Sequence, residues 1–180
     1  PGADAGAAAL VALAVVRRYP HLIAGAVLSE PPVFALDPVG AEAFLGPLRP
    51  ALETAAAAGG PRAAVDAFFG VVCPGLWRTL SEPLRDKYRA NATELFGDLQ
   101  MPPYQVSRDD LARLSTPCLM ISGSESAPVL RSIARIIADS IPGCRFVELI
   151  GSGHVTYYER PEEFARAVGD FAGSLGVSAV

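Results

Sequence analysis

Four side chains combine a type suited to nucleophilic or acid–base chemistry with a place beside a glycine-rich turn or just past an apolar run: Asp4, Glu30, Glu125 and His154. Asp4 stands in Gly2-Ala3-Asp4-Ala5-Gly6, a small-x-acid-x-small turn that runs straight into the apolar stretch Ala7-Ala8-Ala9-Leu10-Val11-Ala12-Leu13. A carboxylate there is ionised near neutral pH. It can attack an electrophile, or it can cap the helix by accepting a backbone N–H, and both roles use the same geometry. His154 closes the glycine-rich run Gly151-Ser152-Gly153-His154. Imidazole is the side chain best suited to exchange a proton near neutral pH. The other histidine, His21, follows Tyr19-Pro20 and reads as a surface residue.

The elements that must position these groups follow from apolar runs and their breakers. Gly6 to Arg18 is apolar nearly all round and predicts a buried helix, with Arg17 and Arg18 suited to the dipole at its end. Ile23 to Leu28 predicts a short buried parallel strand, stopped by Ser29-Glu30-Pro31-Pro32. Val33 to Val106 is rich in Ala, Pro and Gly. It predicts a helical insert, with amphipathic stretches at 41–45, 50–58, 62–69 and 82–96. Ser107 or Asp109 can cap a short helix ending at Leu114. Pro117 to Ser122 and Arg145 to Ile150 predict two more strands, separated by a helix from Val129 to Ser140. A last helix is expected from Pro161 to Leu175. This alternation predicts an α/β fold with a parallel sheet. Reactive groups belong past the carboxyl ends of its strands, where Asp4, Glu30, the Ser124–Ser126 loop and His154 fall.

The bulk composition narrows the function classes. The chain has 180 residues, 51% hydrophobic and 19% charged, with net charge −4. That suits a globular core and argues against nucleic-acid binding, since Lys87 is the sole lysine and no basic cluster exists. The longest apolar stretch is too short to span a membrane. Cys73, Cys118 and Cys144 lack metal-ligand spacing and read as thiols in a reducing, cytoplasmic setting. High Ala, Gly and Arg fit a bacterial source. No metal and no cofactor are expected. The start at Pro1, inside a turn, suggests the C-terminal part of a longer protein.

In order along the chain stand the Gly2–Gly6 turn, Tyr19-Pro20, Val27-Leu28-Ser29-Glu30-Pro31-Pro32, Leu114–Gly123, Ile141-Pro142-Gly143, Gly151-Ser152-Gly153-His154 and Pro161-Glu162-Glu163-Phe164. Together these landmarks resemble the α/β-hydrolase superfamily. The Gly-x-Gly-His with Pro-Glu-x-Phe shortly after it is the most specific part. The resemblance implies core segments at 1–32 and 107–180 and a helical cap at 33–106. It also implies that the early strands of the fold lie outside this stretch. The family's chain order is nucleophile, acid, histidine. Asp4 and His154 take the first and last places, and the N–H of Ala5 takes that of an oxyanion donor. The usual acid place, three residues after Gly123, holds Ser126. Glu30, just past the first strand, is the preferred acid, and Glu125 is the alternative.

An aspartate in the nucleophile place changes the expected reaction. Carboxylate attack on an acyl ester gives a high-energy anhydride, whereas attack on an sp³ carbon gives an ordinary ester. The resemblance therefore extends to epoxide hydrolases and haloalkane dehalogenases, with His154 activating water against the ester. Cap tyrosines donate to the epoxide oxygen in the former, which nominates Tyr88 and Tyr104. Dehalogenases commonly carry Trp directly after the nucleophile. Here Ala5 stands there, and Trp77, the one tryptophan, lies in the cap as a substrate contact. An epoxide or similar small electrophile is the expected substrate. The alternative is an inactive relative that binds a small molecule. A small-molecule partner is expected, a homodimer is left open, and neither nucleic acid nor membrane is expected.

Overall fold

The computed structural model describes residues 5–93 and 104–176. Helix α1 (Ala5–Arg18) ends in a 3-10 turn at Pro20–Leu22 and leads into β1 (Ala26–Ser29). A second 3-10 turn, Phe34–Leu36, opens the insert of α2 (Pro38–Val72), α3 (Pro74–Thr79) and α4 (Glu82–Ala90). The core resumes with α5 (Arg108–Ala112), β2 (Cys118–Gly123), α6 (Pro128–Ser140), β3 (Arg145–Leu149), α7 (Thr156–Glu159) and α8 (Pro161–Ser174). Among the described residues the sheet order is β1-β2-β3, all parallel, with Ser29 beside Ile121 and Gly123 beside Leu149.

The β2 strand shows why the layers form. All of Cys118 to Gly123 is buried, and successive side chains point to opposite faces. Cys118 and Met120 join Leu13 and Val16 of α1 and Ile133 and Ile137 of α6 in one cluster. Leu119 and Ile121 join Leu149 and Phe171 on the other face, under α8. A strand covered on both faces must be apolar throughout, as this one is until Ser122 at its carboxyl end.

The α2 helix departs from the predicted row of short helices. It runs through Pro47 and Pro50 and breaks at Gly60, whose φ of 74° is left-handed and suits glycine. Pro61 then starts the second half, where its missing N–H costs nothing. Asp37 caps the first half by accepting from Gly40 N at 2.9 Å. That N–H, with the Ser132 hydroxyl of α6, holds the Asp37 carboxyl below its usual range. The α7 helix was not foreseen, and β1 begins later than predicted, at Ala26. Among the described residues no helix is long and apolar enough to cross a membrane.

Candidate active site

Glu30 is the first residue past β1 and has a φ of 43°, in the left-handed region that non-glycine residues seldom adopt. Its backbone N–H still pairs with Ile121 O at 3.3 Å, so the turn begins while the ladder continues. The side chain is fully buried and crosses the carboxyl end of β2. Its Oε1 accepts from Ser122 Oγ at 2.7 Å and Gly123 N at 2.8 Å. Its Oε2 accepts from Ser126 Oγ at 2.6 Å and lies 2.8 Å from His154 Nδ1. An ionised carboxylate only accepts hydrogen bonds, and these four donors saturate this one. Nδ1 therefore carries the proton toward Glu30, which leaves Nε2 with the imidazole's basic lone pair.

The loop bearing His154 is fixed from several sides. Gly151 N donates to Ser124 Oγ at 2.8 Å, Ser152 N to Leu149 O at 3.3 Å, and Gly153 N to Glu159 Oε2 at 2.7 Å. Arg160 donates to the carbonyls of Ile150 and Gly151. Ser152 O accepts from Glu125 N at 2.8 Å. The loop lies so close to β2 that a Cβ on Gly123 would stand 2.2 Å from Gly153 O and 2.4 Å from Ser152 O. Two buried hydroxyls, Ser29 Oγ and Thr156 Oγ1, meet at 2.9 Å and join the end of β1 to the start of α7.

Of the two acids left open by the sequence, Glu30 is the one beside His154. Glu125 is exposed and engages the loop through its backbone N–H. Asp4 lies outside the described residues, directly before the first residue of α1, Ala5. In the insert, Trp77 stacks on Phe69 with centroids 4.7 Å apart, and Tyr88 meets both rings edge-on at 4.9 and 6.0 Å. The guanidinium groups of Arg85 and Arg89 lie 5.8 and 5.9 Å from the Trp77 ring centre. Val155, the neighbour of His154, packs against this cluster and connects insert and histidine loop.

Tyr104 departs from the expectation of a substrate contact. Its hydroxyl accepts from Arg17 Nη1 at 2.7 Å, and the guanidinium lies 5.5 Å over its ring. Arg17 is in the last turn of a 14-residue helix about 20 Å long, so this pair sits at the opposite end of α1 from Ala5. Sequence reasoning missed Ser122 and Thr156, and read Ser126 only as a vacant acid place. Alternate serines at 122, 124 and 126 around a strand-ending glycine were the available signal. Burial pushes the Cys118 thiol up to about 12 and the Cys144 thiol to about 11, so neither is a thiolate near neutral pH. Among the described residues no three His, Cys, Asp or Glu side chains gather as metal ligands.

The model of the alpha/beta hydrolase family matches residues 2–167. No curated protein sequence matches the chain. Among solved structures, it is similar to a hydrolase from Pseudomonas aeruginosa PA01, at 27% identity and TM-score 0.66, over 92% of this chain and 61% of that one. It is also similar to an alpha/beta hydrolase from Sphaerobacter thermophilus DSM 20745, at 26% identity and TM-score 0.61, over 91% and 63%. MenH from S. aureus shares the fold at 19% identity and TM-score 0.67, over 93% and 65%. The chain thus spans 61 to 65% of the length of these structures.

Proposed function

The chain belongs to the alpha/beta hydrolase family, and on that premise we propose that it serves a hydrolase that opens a small sp³ electrophile, an epoxide being the best fit. The observation that carries this reading is the buried 2.8 Å contact between His154 Nδ1 and Glu30 Oε2, at the carboxyl ends of parallel strands. It supplies an imidazole whose tautomer is fixed and whose protonated form would be stabilised by an adjacent carboxylate.

In the proposed reaction an Asp4 carboxylate oxygen bonds to an epoxide carbon and the carbon–oxygen bond of the ring breaks. The ring oxygen takes a proton, for which Tyr88 is the candidate donor because its cluster adjoins Val155. The product of this step is an Asp4 ester. His154 Nε2 then removes a proton from water, and the hydroxide adds to the ester carbonyl carbon. The N–H of Ala5 is the assigned donor to the resulting oxyanion. Collapse releases the diol, whose oxygen takes the proton back from His154, and leaves Asp4 as the acid. Its proton, the one the hydroxide kept, returns through solvent to the Tyr88 phenolate, which restores both groups. The apolar cluster of Phe69, Trp77 and Tyr88, packed against Val155, is the surface of the insert on which the proposed substrate would lie. Three cysteines without metal-ligand spacing support a reducing, cytoplasmic setting.

Single turnover of an aryl epoxide in ¹⁸O water tests this reading, with excess enzyme and mass spectrometry of both products. The label is expected in the Asp4 carboxylate and not in the diol. Label in the diol with Asp4 unlabelled would mean direct attack by water and would overturn the covalent step.

A further inference from the structure

We infer that Ser126 is a positioning residue for His154 that acts through the Glu30 carboxylate, an inference that rests on His154 serving as the base proposed above. Glu30 arrives at the site on a long, jointed side chain from a left-handed turn. Its Oε1 is held by Ser122 Oγ and Gly123 N, both part of β2. Those two bonds anchor one oxygen and leave the carboxylate free to pivot about it. The other oxygen, Oε2, is the one that meets the imidazole. Ser126 Oγ, at 2.6 Å, is the second protein donor on that oxygen and fixes the plane of the carboxylate.

Ser126 is built for this duty. It is 5% exposed, and its own N–H is bound to Gly123 O at 3.2 Å, so the hydroxyl projects from a closed turn. A hydroxyl is short and can rotate its proton onto the acceptor without strain. Without it, a buried carboxylate lone pair loses its partner and the carboxylate can twist toward a replacement. The imidazole, held through the same oxygen, would turn with it. The residue that fails as an acid thus secures the acid supplied from β1.

The test uses the full chain and two readouts. One is the downfield proton resonance of the His154 Nδ1–H, which needs no substrate and is identified by its loss in Glu30→Gln. The other is the division between kcat and KM on the epoxide. Ser126→Ala is expected to shift this resonance and speed its exchange with water. It should also lower kcat roughly tenfold, the scale of one hydrogen bond to a charged acceptor, with KM unchanged. Ser126→Thr, which keeps the hydroxyl, should restore both. Should Ser126→Ala fail to fold, Ser126→Cys keeps the shape with a weaker donor and should show the same changes at smaller size. Ser140→Ala, whose hydroxyl bonds Ile136 O at the end of α6, is the control. A folded Ser126→Ala or Ser126→Cys with unchanged resonance and exchange would overturn the inference. Absence of epoxide turnover in the unmodified chain would overturn the reaction while leaving the resonance test decisive.

Discussion

Glu30 at the strand ends and Arg89 on the insert each gather several partners, but Glu30 meets neutral dipoles where Arg89 meets formal charges. Glu30 is fully buried among two hydroxyls, a backbone N–H and an imidazole. Arg89 pairs with Asp66 at 2.9 Å, Glu82 at 2.5 Å and Asp86 at 3.0 Å, whose side chains are 39%, 62% and 51% exposed. A buried carboxylate has no water to share its charge, so every lone pair must find a donor of fixed direction. Around Arg89 solvent and salt ions screen the attraction, and loose geometry is tolerated. The richer count of charges therefore marks the less exacting site.

That contrast can be broken most severely at Glu30. Glu30→Gln replaces an acceptor-only group with one whose amide protons face existing donors. Turnover should fall by about 10² to 10⁴, and stability by about 1–3 kcal/mol, with little dependence on salt. Steady-state kinetics and denaturant titration at two ionic strengths would measure both. Next in size is Gly123→Ala, which drives a Cβ into the carbonyls of Ser152 and Gly153. Overpacking of this kind should cost about 2–3 kcal/mol and pull His154 from Glu30, seen as a lower denaturation midpoint and loss of the Nδ1–H resonance. Arg89→Gln should cost only about 1 kcal/mol at low salt, and much of that loss should vanish near roughly 1 M salt. An undiminished loss at high salt would show that stacking over Trp77, not ion pairing, holds the insert.

The smallest effect belongs to Asp110, a half-buried carboxylate of the charged kind. The Ser107 backbone N–H, then its hydroxyl, hold the Asp110 carboxyl below the ordinary value of 3.8, and Arg17 and Arg113 add to this. A carboxyl depressed by folding contributes stability that is present above the ordinary value and lost as pH falls through the folded one. Acid unfolding of Asp110→Asn should therefore lack that segment of the pH dependence. Superimposable curves for the two proteins would remove Asp110 from the account.

The strands and core helices were legible because one property, burial, dictates their residues. Cys118 to Gly123 and Pro128 to Ser140 lie within a residue of the sequence reading. The insert was less so, because Pro47 and Pro50 suggest breaks that α2 does not make, while Gly60 makes one. Tertiary packing of Leu48 and Leu52 against Phe68 and Val72 outweighs the local preference there. At the site, Glu30 and His154 were legible from type and position past the strands. Ser126 was read as a missing acid, because a hydroxyl's worth depends on what it faces. The partner of Tyr104 was hidden for the same reason, since Arg17 is 87 residues away in sequence.

The loop from Gly151 to Gly153 belongs to no helix or strand, yet each of its consecutive amide protons is committed, to Ser124, Leu149 and Glu159 in turn. Glycine-rich sequence ordinarily means rapid local opening, but opening here requires breaking ties to β3, α7 and the turn after β2 together. Its amides should exchange with solvent deuterium as slowly as those of neighbouring regular structure. The histidine rides on a segment that is irregular in shape and still in motion only as fast as the sheet beneath it.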